Sequence, residues 1–358
     1  MIYIHIPFCR SFCTYCGFYS EIAEEGCIAR FAETLCEEIK TRRDGIPDEP
    51  ATLYIGGGTP SVLPLSVFRR IFDTLSAAGH GGPYAECTVE VNPEDIVEKG
   101  LAYARGLKEL GVNRISMGVQ SFDDGILRWM NRRHDAARAK QAFLLLREAG
   151  FDNVGLDLMF GFPQLTEESW EQTVSEALAL RPEHLSAYQL SVDPGSTLQE
   201  ALEAGRFEEA PEEVCRRQYD LLCRRMAEAG YRHYEISNYS LPGREAVHNG
   251  AYWRRVPYAG FGPGAHSFDG TVRRWNTDNL SDYKVESETL SAEDERVERI
   301  MLSLRTDEGA ESVFLHKNCR EETVERLLDE GALAEWNGRI RIPEDHWFVS
   351  DGILKELI

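Results

Sequence analysis

The strongest constraint on the fold of this chain is a strict alternation of strand-like and helix-like segments over its first half. Amphipathic stretches with helical periodicity separate short apolar runs, and several end in a glycine that suits a helix C-terminus. Strands that alternate with helices form parallel β-α units with right-handed crossovers. The sequence therefore predicts an α/β protein whose six units form an incomplete barrel or an open, strongly curved sheet. The six predicted strands are IYIHI from Ile2, ATLYI from Ala51, CTVEV from Cys87, NRISMGV from Asn113, NVGLDLMF from Asn153 and HLSAYQL from His184.

The pattern changes twice further along the chain, which predicts three regions. Residues 1–195 carry the alternation and form the core partial barrel. Residues 196–285 extend the barrel with a further helix, one strand in YRHYEISNYS and a loop region rich in glycine and aromatic residues. In residues 286–358, helical segments precede ALAEWNGRIRI, where Asn337 and Gly338 are a strong signal for a two-residue hairpin. Helices followed by a hairpin predict a small winged-helix-like α+β domain.

The charge balance argues against nucleic-acid binding by this last domain. The formal net charge of the chain is −21, and from Glu286 onward 19 acidic residues stand against 9 basic ones. A nucleic-acid-binding surface needs clustered lysine and arginine to neutralise phosphates, so no nucleic-acid partner is expected. The chain has no run of 18 apolar residues and no secretory signal, which predicts a cytoplasmic protein. Peripheral docking of its acidic surface on a membrane-bound partner stays open.

Three cysteines lie close together directly after the first strand. Cys9, Cys13 and Cys16 have the spacing C-x-x-x-C-x-x-C, whereas the other six of the nine cysteines are scattered and predict buried residues or free thiols. A structural zinc site needs four ligands, and no second Cys or His pair follows these three. A [4Fe–4S] cluster on three cysteines leaves one iron open to another group. Such a cluster is the favoured prediction, with zinc and purely structural cysteines as the alternatives.

Glycines and polar residues at the ends of the following strands predict a site at the same rim. LYIGGGTPS, after the second strand, holds three consecutive glycines that let a ligand approach the backbone closely. Glu90, Gln120 and Asp157 stand in otherwise apolar runs. Each alone is equally well explained as a satisfied buried polar residue. Because the active sites of such barrels lie at the carboxyl ends of the strands, together they indicate one binding site.

CRSFCTYCGF, at the end of the first strand, resembles the signature of the radical S-adenosylmethionine (SAM) superfamily. That resemblance implies a radical SAM partial (β/α)6 barrel and a [4Fe–4S] cluster on Cys9, Cys13 and Cys16. It also implies SAM on the remaining iron, where an electron from the cluster cleaves the sulfonium. YIGGGTPS is similar to the superfamily segment that holds the SAM amino group, and VEVNPE, MGVQSF, MNRRHD and GLDLMFGFPQ resemble the branch that contains anaerobic coproporphyrinogen III oxidases. The SAM-binding residues that the resemblance implies are Tyr3, Gly57, Gly58, Thr59, Glu90, Gln120, Arg132 and Asp157.

This branch contains oxidases and heme chaperones, and two departures separate the chain from the oxidases. The oxidases carry a further cysteine two positions after the third cluster cysteine, where this chain has Phe18. They also carry an N-terminal extension over the substrate, whereas Tyr3 here is nearly the first residue. HNGAYW is similar to the H-N-x-x-Y-W motif of the heme chaperones, which implies His248 as a heme ligand and Tyr252 and Trp253 as cover for the porphyrin. The alternative is a histidine that hydrogen-bonds within its loop and aromatic residues that pack on the barrel.

The sequence thus predicts a [4Fe–4S]- and SAM-binding heme chaperone that carries heme as cargo to acceptor hemoproteins, including membrane-associated ones. Two alternatives stay open. One is an oxygen-independent coproporphyrinogen III oxidase, which the two departures disfavour. The other is a redox-silent adaptor whose cluster regulates self-association, which predicts a cluster-dependent homodimer. The residues do not decide whether SAM is turned over, and therefore whether the chain is an enzyme.

Overall fold

The computed structural model describes residues 1–48, 51–280 and 282–358. The strands of the first half are β1 (Ile2–Ile6), β2 (Phe8–Cys9), β3 (Glu21–Ile22), β4 (Thr52–Gly57), β5 (Glu86–Val91), β6 (Arg114–Gln120), β7 (Val154–Phe160) and β8 (His184–Gln189). Those of the second half are β9 (Arg232–Glu235), β10 (Asn238–Ser240), β11 (Ala259–Phe261), β12 (His266–Phe268), β13 (Val272–Asn276), β14 (Val285–Thr289), β15 (Ala310–Glu311), β16 (Ala334–Trp336) and β17 (Arg339–Arg341).

Helices separate the strands of the first half as the sequence predicts. They are α1 (Glu25–Thr41), α2 (Leu65–Ala77), α3 (Pro93–Glu109), α4 (Asp124–Trp129), α5 (Ala136–Glu148) and α6 (Glu167–Leu180). The helices that follow are α7 (Thr197–Glu203), α8 (Glu212–Glu228), α9 (Val247–Trp253), α10 (Ala292–Ser303), α11 (Ser312–Asn318), α12 (Glu321–Asp329) and α13 (Ser350–Leu357).

The main sheet confirms the predicted set of parallel strands. Its strand order is β11-β1-β4-β5-β6-β7-β8-β10-β9. β1 and β4 to β8 correspond to the six predicted strands, and all neighbouring pairs among them are parallel. β11 extends the sheet in parallel beside β1, and the antiparallel pair of β10 and β9 extends it beside β8. Within the described residues the sheet is open, with β11 and β9 at its edges.

Side chains alternate along these strands between an apolar face and a polar face. The isoleucines of β1 are fully buried in a core that includes helix residues such as Phe31 and Leu35. On the other face, the Tyr3 ring stacks on Tyr54 of β4 at 6.1 Å, and the Tyr54 hydroxyl donates to the Glu90 carboxylate of β5 at 2.7 Å. This face of the sheet therefore carries polar side chains that could bind a ligand.

The region predicted as a separate barrel extension is joined to the core. The single strand predicted in YRHYEISNYS is wrong, because the structure has β9 and β10 there with a turn between them. The backbone N–H of Ile236 donates to Arg305 O at 3.0 Å, so the chain leaves the sheet ladder at this turn. The predicted boundary after residue 285 falls inside β14, which pairs with β13 of the preceding region. The winged-helix elements therefore begin at α10.

The C-terminal elements confirm the winged-helix-like prediction. Their order is α10, β15, α11, α12, β16 and β17, and the three strands form an antiparallel sheet in the order β15-β17-β16. Asn337 and Gly338 connect β16 to β17 with positive φ angles of 51° and 74°. Both residue types tolerate this conformation, which the tight hairpin turn requires.

Candidate functional site

A cavity of about 700 Å³ opens at the carboxyl ends of the central strands. Its walls come from the cysteine-bearing loop, the segment after β4 and the ends of β5 to β8. The residues predicted for the cluster and for SAM that line this first cavity are Cys9, Cys13, Cys16, Gly57, Gly58, Thr59, Glu90, Gln120, Arg132 and Asp157. The structure therefore gathers at one place every residue predicted for these two groups except Tyr3.

The cysteine-bearing loop lies between β2 and β3 and is tied to the chain after α4. The backbone N–H of Thr14 donates to Met130 O at 3.2 Å, and the side-chain amide of Asn131 donates to Phe12 O at 2.7 Å. The three cysteines are free thiols, partly buried, on the wall of the first cavity. Three thiols that converge on one cavity are the donor set that an iron–sulfur cluster with one open iron requires.

Arg132 places a positive charge beside these thiols. Its guanidinium donates to Cys13 Sγ at 3.4 Å, to Asn92 Oδ1 at 2.7 Å and to Gly118 O at 2.6 Å. Its buried Nε has no hydrogen-bond partner in the described part of the chain. A fixed cation at this position counters the negative charge of thiolate ligands and is suited to a carboxylate such as that of SAM.

Two carboxyl groups lie in the wall of the same cavity. Glu90 accepts hydrogen bonds from the Tyr54 hydroxyl and from the Gly57 N–H at 3.0 Å, and Asp157 accepts from the Ser116 hydroxyl at 3.2 Å. Burial raises the pKa of Glu90 to about 7 and also raises the pKa of Asp157. Buried carboxyl groups of this kind bind a ligand that brings amino or hydroxyl donors.

Gln120 offers an open hydrogen-bond acceptor to the first cavity. Its φ of 68° is unusual for a residue with a side chain, and the pairing of β6 with β7 is irregular between Gly118 and Gln120. Its buried Oε1 has no hydrogen-bond partner among the residues that the structure describes. Backbone strain and an unpartnered acceptor commonly mark a ligand site, so the lining fits SAM, which carries amino and ribose hydroxyl donors.

Gly58 lies where the segment after β4 passes the cysteine-bearing loop. Its N–H donates to Ile6 O at 2.8 Å, and a Cβ added here would lie 2.8 Å from Phe8 O. Carbonyl oxygens of neighbouring backbone cannot move away as a flexible side chain can. The glycine therefore permits the close approach that brings Thr59 to the cluster cysteines, with Thr59 Oγ1 3.4 Å from Cys9 Sγ.

We expect Gly58→Ala to lower the free energy of unfolding by about 1–3 kcal/mol, because the added methyl group overpacks rigid backbone. Chemical denaturation with the cluster removed measures the change without interference from cluster loss. Gly26→Ala is the matched control, since nothing lies within 4 Å of a Cβ built there. Equal stability of the Gly58 and Gly26 variants would contradict the close approach.

Tyr3 does not line the first cavity. Its hydroxyl lies 3.0 Å from His5 Nδ1, and its ring stacks on Tyr54, the residue that donates to Glu90. Tyr3 therefore lies behind the cavity wall. Tyr54 separates it from Glu90, which does line the cavity.

The sequence prediction missed several residues of the first cavity. Asn92 joins Arg132 to Thr59, because its amide oxygen accepts from Arg132 and its nitrogen donates to Thr59 Oγ1 at 3.3 Å. Asn92 follows Glu90 in VEVNPE, so its place after the strand was an available signal. Ser116 and Tyr188 also line the cavity, at inward positions of β6 and β8 that strand alternation identifies.

The HNGAYW segment lies at the opposite end of the sheet, on α9. Backbone N–H of His248 donates to the carboxylate of Glu86 at 3.0 Å, and the ring nitrogens lie 2.8 Å from Thr52 Oγ1 and 3.0 Å from the Tyr252 hydroxyl. Thr52 and Glu86 begin β4 and β5, so this is the amino end of the strands. Burial lowers the pKa of His248 to about 3, so the imidazole is neutral and both nitrogens are engaged within the fold.

Trp253 points to the other side of α9, where a second cavity of about 660 Å³ lies between α9 and the C-terminal domain. Aromatic rings of Trp253, Phe268 and Phe314 line it, together with five arginines and five acidic residues. Arg299 stacks on Phe314 at 4.2 Å, whereas the Arg339 guanidinium donates to Glu308 O at 2.8 Å and to Gly309 O at 2.6 Å. The remaining arginines of this second cavity are Arg232, Arg254 and Arg255.

Comparisons with known proteins agree with this architecture. Residues 3–177 match the family model of the radical SAM superfamily. The chain is 36% identical to a protein named heme chaperone HemW from Bacillus subtilis over 284 residues, which are 78% of this chain and 74% of that protein. It is 31% identical to Escherichia coli HemW over 368 residues, which are 98% of this chain and 94% of that protein. Its fold matches the structure of the E. coli coproporphyrinogen III oxidase HemN, a radical SAM enzyme, with a TM-score of 0.83, 21% identity and 99% and 89% of the two chains covered.

The parallel sheet and the three-cysteine cavity at its carboxyl edge define a radical SAM protein, a class for which an iron–sulfur cluster and SAM are the implied cofactors. Within this superfamily the chain belongs to the HemW family.

Proposed function

We propose that this chain is a [4Fe–4S]- and SAM-binding heme chaperone that binds heme and delivers it to acceptor hemoproteins. The observation that carries the proposal is the second cavity, where the helix with the HNGAYW segment faces a space that combines aromatic and arginine side chains. The names of the relatives at 36% and 31% identity support the same function.

In the first cavity, Cys9, Cys13 and Cys16 would hold the cluster, which when bound supplies an electron for reductive cleavage of SAM. The thiols, partly buried, keep the cluster on the wall of the cavity rather than in bulk solvent. The chain's own groups then bind and orient SAM through one cation, two carboxyl groups and one open amide oxygen. The proposed SAM-binding residues are Gly57, Gly58, Thr59, Glu90, Gln120, Arg132 and Asp157, with Tyr3 supporting Glu90 from behind.

The second cavity offers aromatic and arginine side chains to heme, beside five acidic residues. A porphyrin is a flat apolar ring with two propionate groups, and its faces pack well against aromatic side chains. Trp253 and Phe314 offer such surfaces. Arg299, which stacks on Phe314, is suited to a propionate through charge-assisted hydrogen bonds, whereas the Arg339 guanidinium already donates to Glu308 O and Gly309 O.

His248 requires a rearrangement before it can bind heme iron. Its imidazole must leave Thr52 and Tyr252, which costs two buried hydrogen bonds. It must also move from the strand-facing side of α9 to the second cavity, which it does not line. We therefore propose a weak and exchangeable ligation, which suits a carrier that must release its cargo. If His248 instead only fixes α9 against the strands, heme would be held by Trp253 and the arginines alone.

Trp253→Ala is expected to weaken heme binding by about tenfold, or about 1.4 kcal/mol, because the porphyrin loses one aromatic face. His248→Ala is expected to weaken binding and to shift the Soret band, because an iron ligand is lost. Titration of the cluster-loaded protein with heme, followed by absorbance, measures both effects. Trp336→Ala, at an exposed tryptophan outside the second cavity, is the matched control. Unchanged affinity in the Trp253 variant would overturn the cavity assignment, and an unchanged Soret band without His248 would overturn its role as ligand.

Coproporphyrinogen III oxidase is the second candidate function, because the fold matches that of HemN over nearly the whole chain. Phe18 opposes it. This residue stands where the oxidases carry a further cysteine, is 71% exposed and lines the first cavity. An apolar ring cannot replace the acid–base and redox chemistry of a thiol.

The partners of the chaperone follow from its cargo. We propose acceptor hemoproteins, including membrane-associated ones, and the cluster-dependent homodimer stays a prediction from the sequence. None of the helices in the described ranges is long and apolar enough to span a bilayer.

A further inference from the structure

Outside both cavities, three metal-ligating side chains meet where the C-terminal domain contacts the barrel. Cys223 lies on α8, His233 on β9, and Glu344 in the helical turn Glu344–Val349 that precedes α13. His233 Nδ1 lies 4.0 Å from Cys223 Sγ and 2.9 Å from Glu344 Oε1. One ligand atom from each of the three residues lies within 4.8 Å of the others. Cys223 and His233 are 10 positions apart, and Glu344 lies 111 positions from His233, so the fold brings Glu344 to the other two.

The imidazole of His233 is held in a fixed orientation. Its ring stacks on Tyr239 at 4.0 Å with an interplanar angle of 18°, and Trp347 contacts it edge-on at 4.4 Å. The Trp347 indole in turn donates to Ile342 O at 2.8 Å. His233 is therefore preorganised to present Nδ1 to Cys223 and Glu344.

The separations are close to those of a tetrahedral zinc site. Zinc–sulfur and zinc–nitrogen bonds of about 2.3 Å and 2.0–2.1 Å place S and N about 3.6 Å apart, and the N and O ligands about 3.4 Å apart. Cys223 Sγ and His233 Nδ1 must approach by less than an ångström from 4.0 Å, and His233 Nδ1 and Glu344 Oε1 must separate slightly from 2.9 Å. The Glu344 side chain is 53% exposed, so it can adjust and leave the fourth position open to water.

We propose that Cys223, His233 and Glu344 bind a zinc ion that links the C-terminal domain to α8 and β9. Thiolate, imidazole and carboxylate are the ligand types that zinc prefers. Binding breaks the Cys223 S–H bond as the zinc–sulfur bond forms, and the proton goes to solvent. The Tyr239 hydroxyl, 3.2 Å from Cys223 Sγ, can donate to the thiolate so formed. Without zinc, an ion pair of His233 with Glu344 and a hydrogen bond of Cys223 with Tyr239 account for these contacts separately.

The proposed zinc site would connect the C-terminal domain to the extension of the main sheet. Glu344 belongs to the C-terminal domain, whereas Cys223 and His233 belong to the helix and strand that extend the main sheet. A metal that binds only the folded arrangement stabilises it in proportion to its free concentration. Zinc would therefore hold in place the domain that forms one wall of the second cavity.

The test uses the full chain with its iron–sulfur cluster assembled anaerobically, dialysed against chelator-buffered Zn²⁺ and analysed for zinc and iron. We expect stoichiometric zinc in addition to the cluster iron, and a loss of zinc affinity of about tenfold or more in Cys223→Ser and in Glu344→Gln. Glu344→Gln is the safer variant for folding, because the side chain is half exposed. Cys319→Ser, at another partly buried thiol away from this site, is the matched control and should bind zinc as wild type does.

Two controls keep zinc at this site separate from zinc at the cluster thiols. The variant Cys9→Ser/Cys13→Ser/Cys16→Ser, which lacks the cluster ligands, should bind zinc with unchanged affinity. Absence of zinc binding in the wild type, zinc retained in both site variants, or iron in place of zinc would overturn the proposal. None of these outcomes depends on heme binding, so the zinc experiment tests the zinc site without testing the proposed chaperone function.

Discussion

Replacement of Cys9, Cys13 or Cys16 by alanine is expected to abolish the iron–sulfur absorbance and the EPR signal of the reduced protein. The three thiols line one cavity, and a cluster that has only three protein ligands cannot be held by two. The variants should retain the fold, because each side chain is only partly buried, Cys9 at the end of the two-residue strand β2 and Cys13 and Cys16 in the loop after it. Anaerobic reconstitution followed by iron and sulfide analysis measures the loss.

Cys27→Ala is the matched control for these variants. Cys27 is also a partly buried free thiol, but it lies on α1 and does not line the first cavity. A cluster retained in any one of the three cavity variants would contradict the assignment of that cysteine. Stoichiometric zinc without acid-labile sulfide in the wild type would contradict the cluster itself.

The affinity for SAM is expected to depend on pH through the ionisation of Glu90. Burial raises the pKa of Glu90 from its ordinary 4.5 to about 7, so the carboxyl group is mostly neutral at pH 6 and mostly ionised at pH 7.5. An ionised carboxylate accepts hydrogen bonds from SAM more strongly than a neutral acid. The affinity should therefore rise by roughly tenfold between about pH 6 and pH 7.5, because binding favours the deprotonated form. Calorimetry on the cluster-loaded protein measures this profile.

Glu90→Gln should weaken SAM binding by about 1.5–3 kcal/mol above pH 7, roughly 10- to 150-fold, and should flatten the pH profile. Asp157 and Arg114 carry the other charges that act on Glu90. Asp157→Asn is therefore the informative control. This variant should bind SAM more weakly, but its SAM affinity should still rise with pH because Glu90 is present. A slope that survives in the Glu90 variant would rule out Glu90 as its source.

The sheet could be predicted from the sequence because its signals are local. Each strand is a short apolar run, each helix shows its own periodicity, and parallel order follows from their alternation. The turn within YRHYEISNYS was missed because nothing in the sequence marks the bond from Ile236 to Arg305 O, which is a contact with a distant segment. The predicted boundary after residue 285 falls within β14, because the antiparallel pairing of β14 with β13 is not visible in the local sequence.

The first cavity was largely predictable because barrel topology brings the strand ends to one rim. Glu90 and Gln120 end or nearly end a strand, Asp157 lies in the middle of β7, and Cys9 follows the first strand. The positions of the HNGAYW side chains were harder to predict. A motif shows which residues are close along a helix but not which face each one occupies, and α9 directs His248 to the strands and Trp253 to the second cavity. Arg254 and Arg255 directly follow HNGAYW, but Arg232, Arg299 and Arg339 come from distant segments, and no local pattern predicts that they meet there.

The central claim is that this chain carries heme and does not decarboxylate coproporphyrinogen. The most direct measurement adds heme to one portion of the anaerobically reconstituted protein, and coproporphyrinogen III with SAM and a reductant to another. We expect stoichiometric heme binding with a defined Soret band in the first portion and no protoporphyrinogen in the second. Formation of protoporphyrinogen, or a protein that binds no heme, would contradict it.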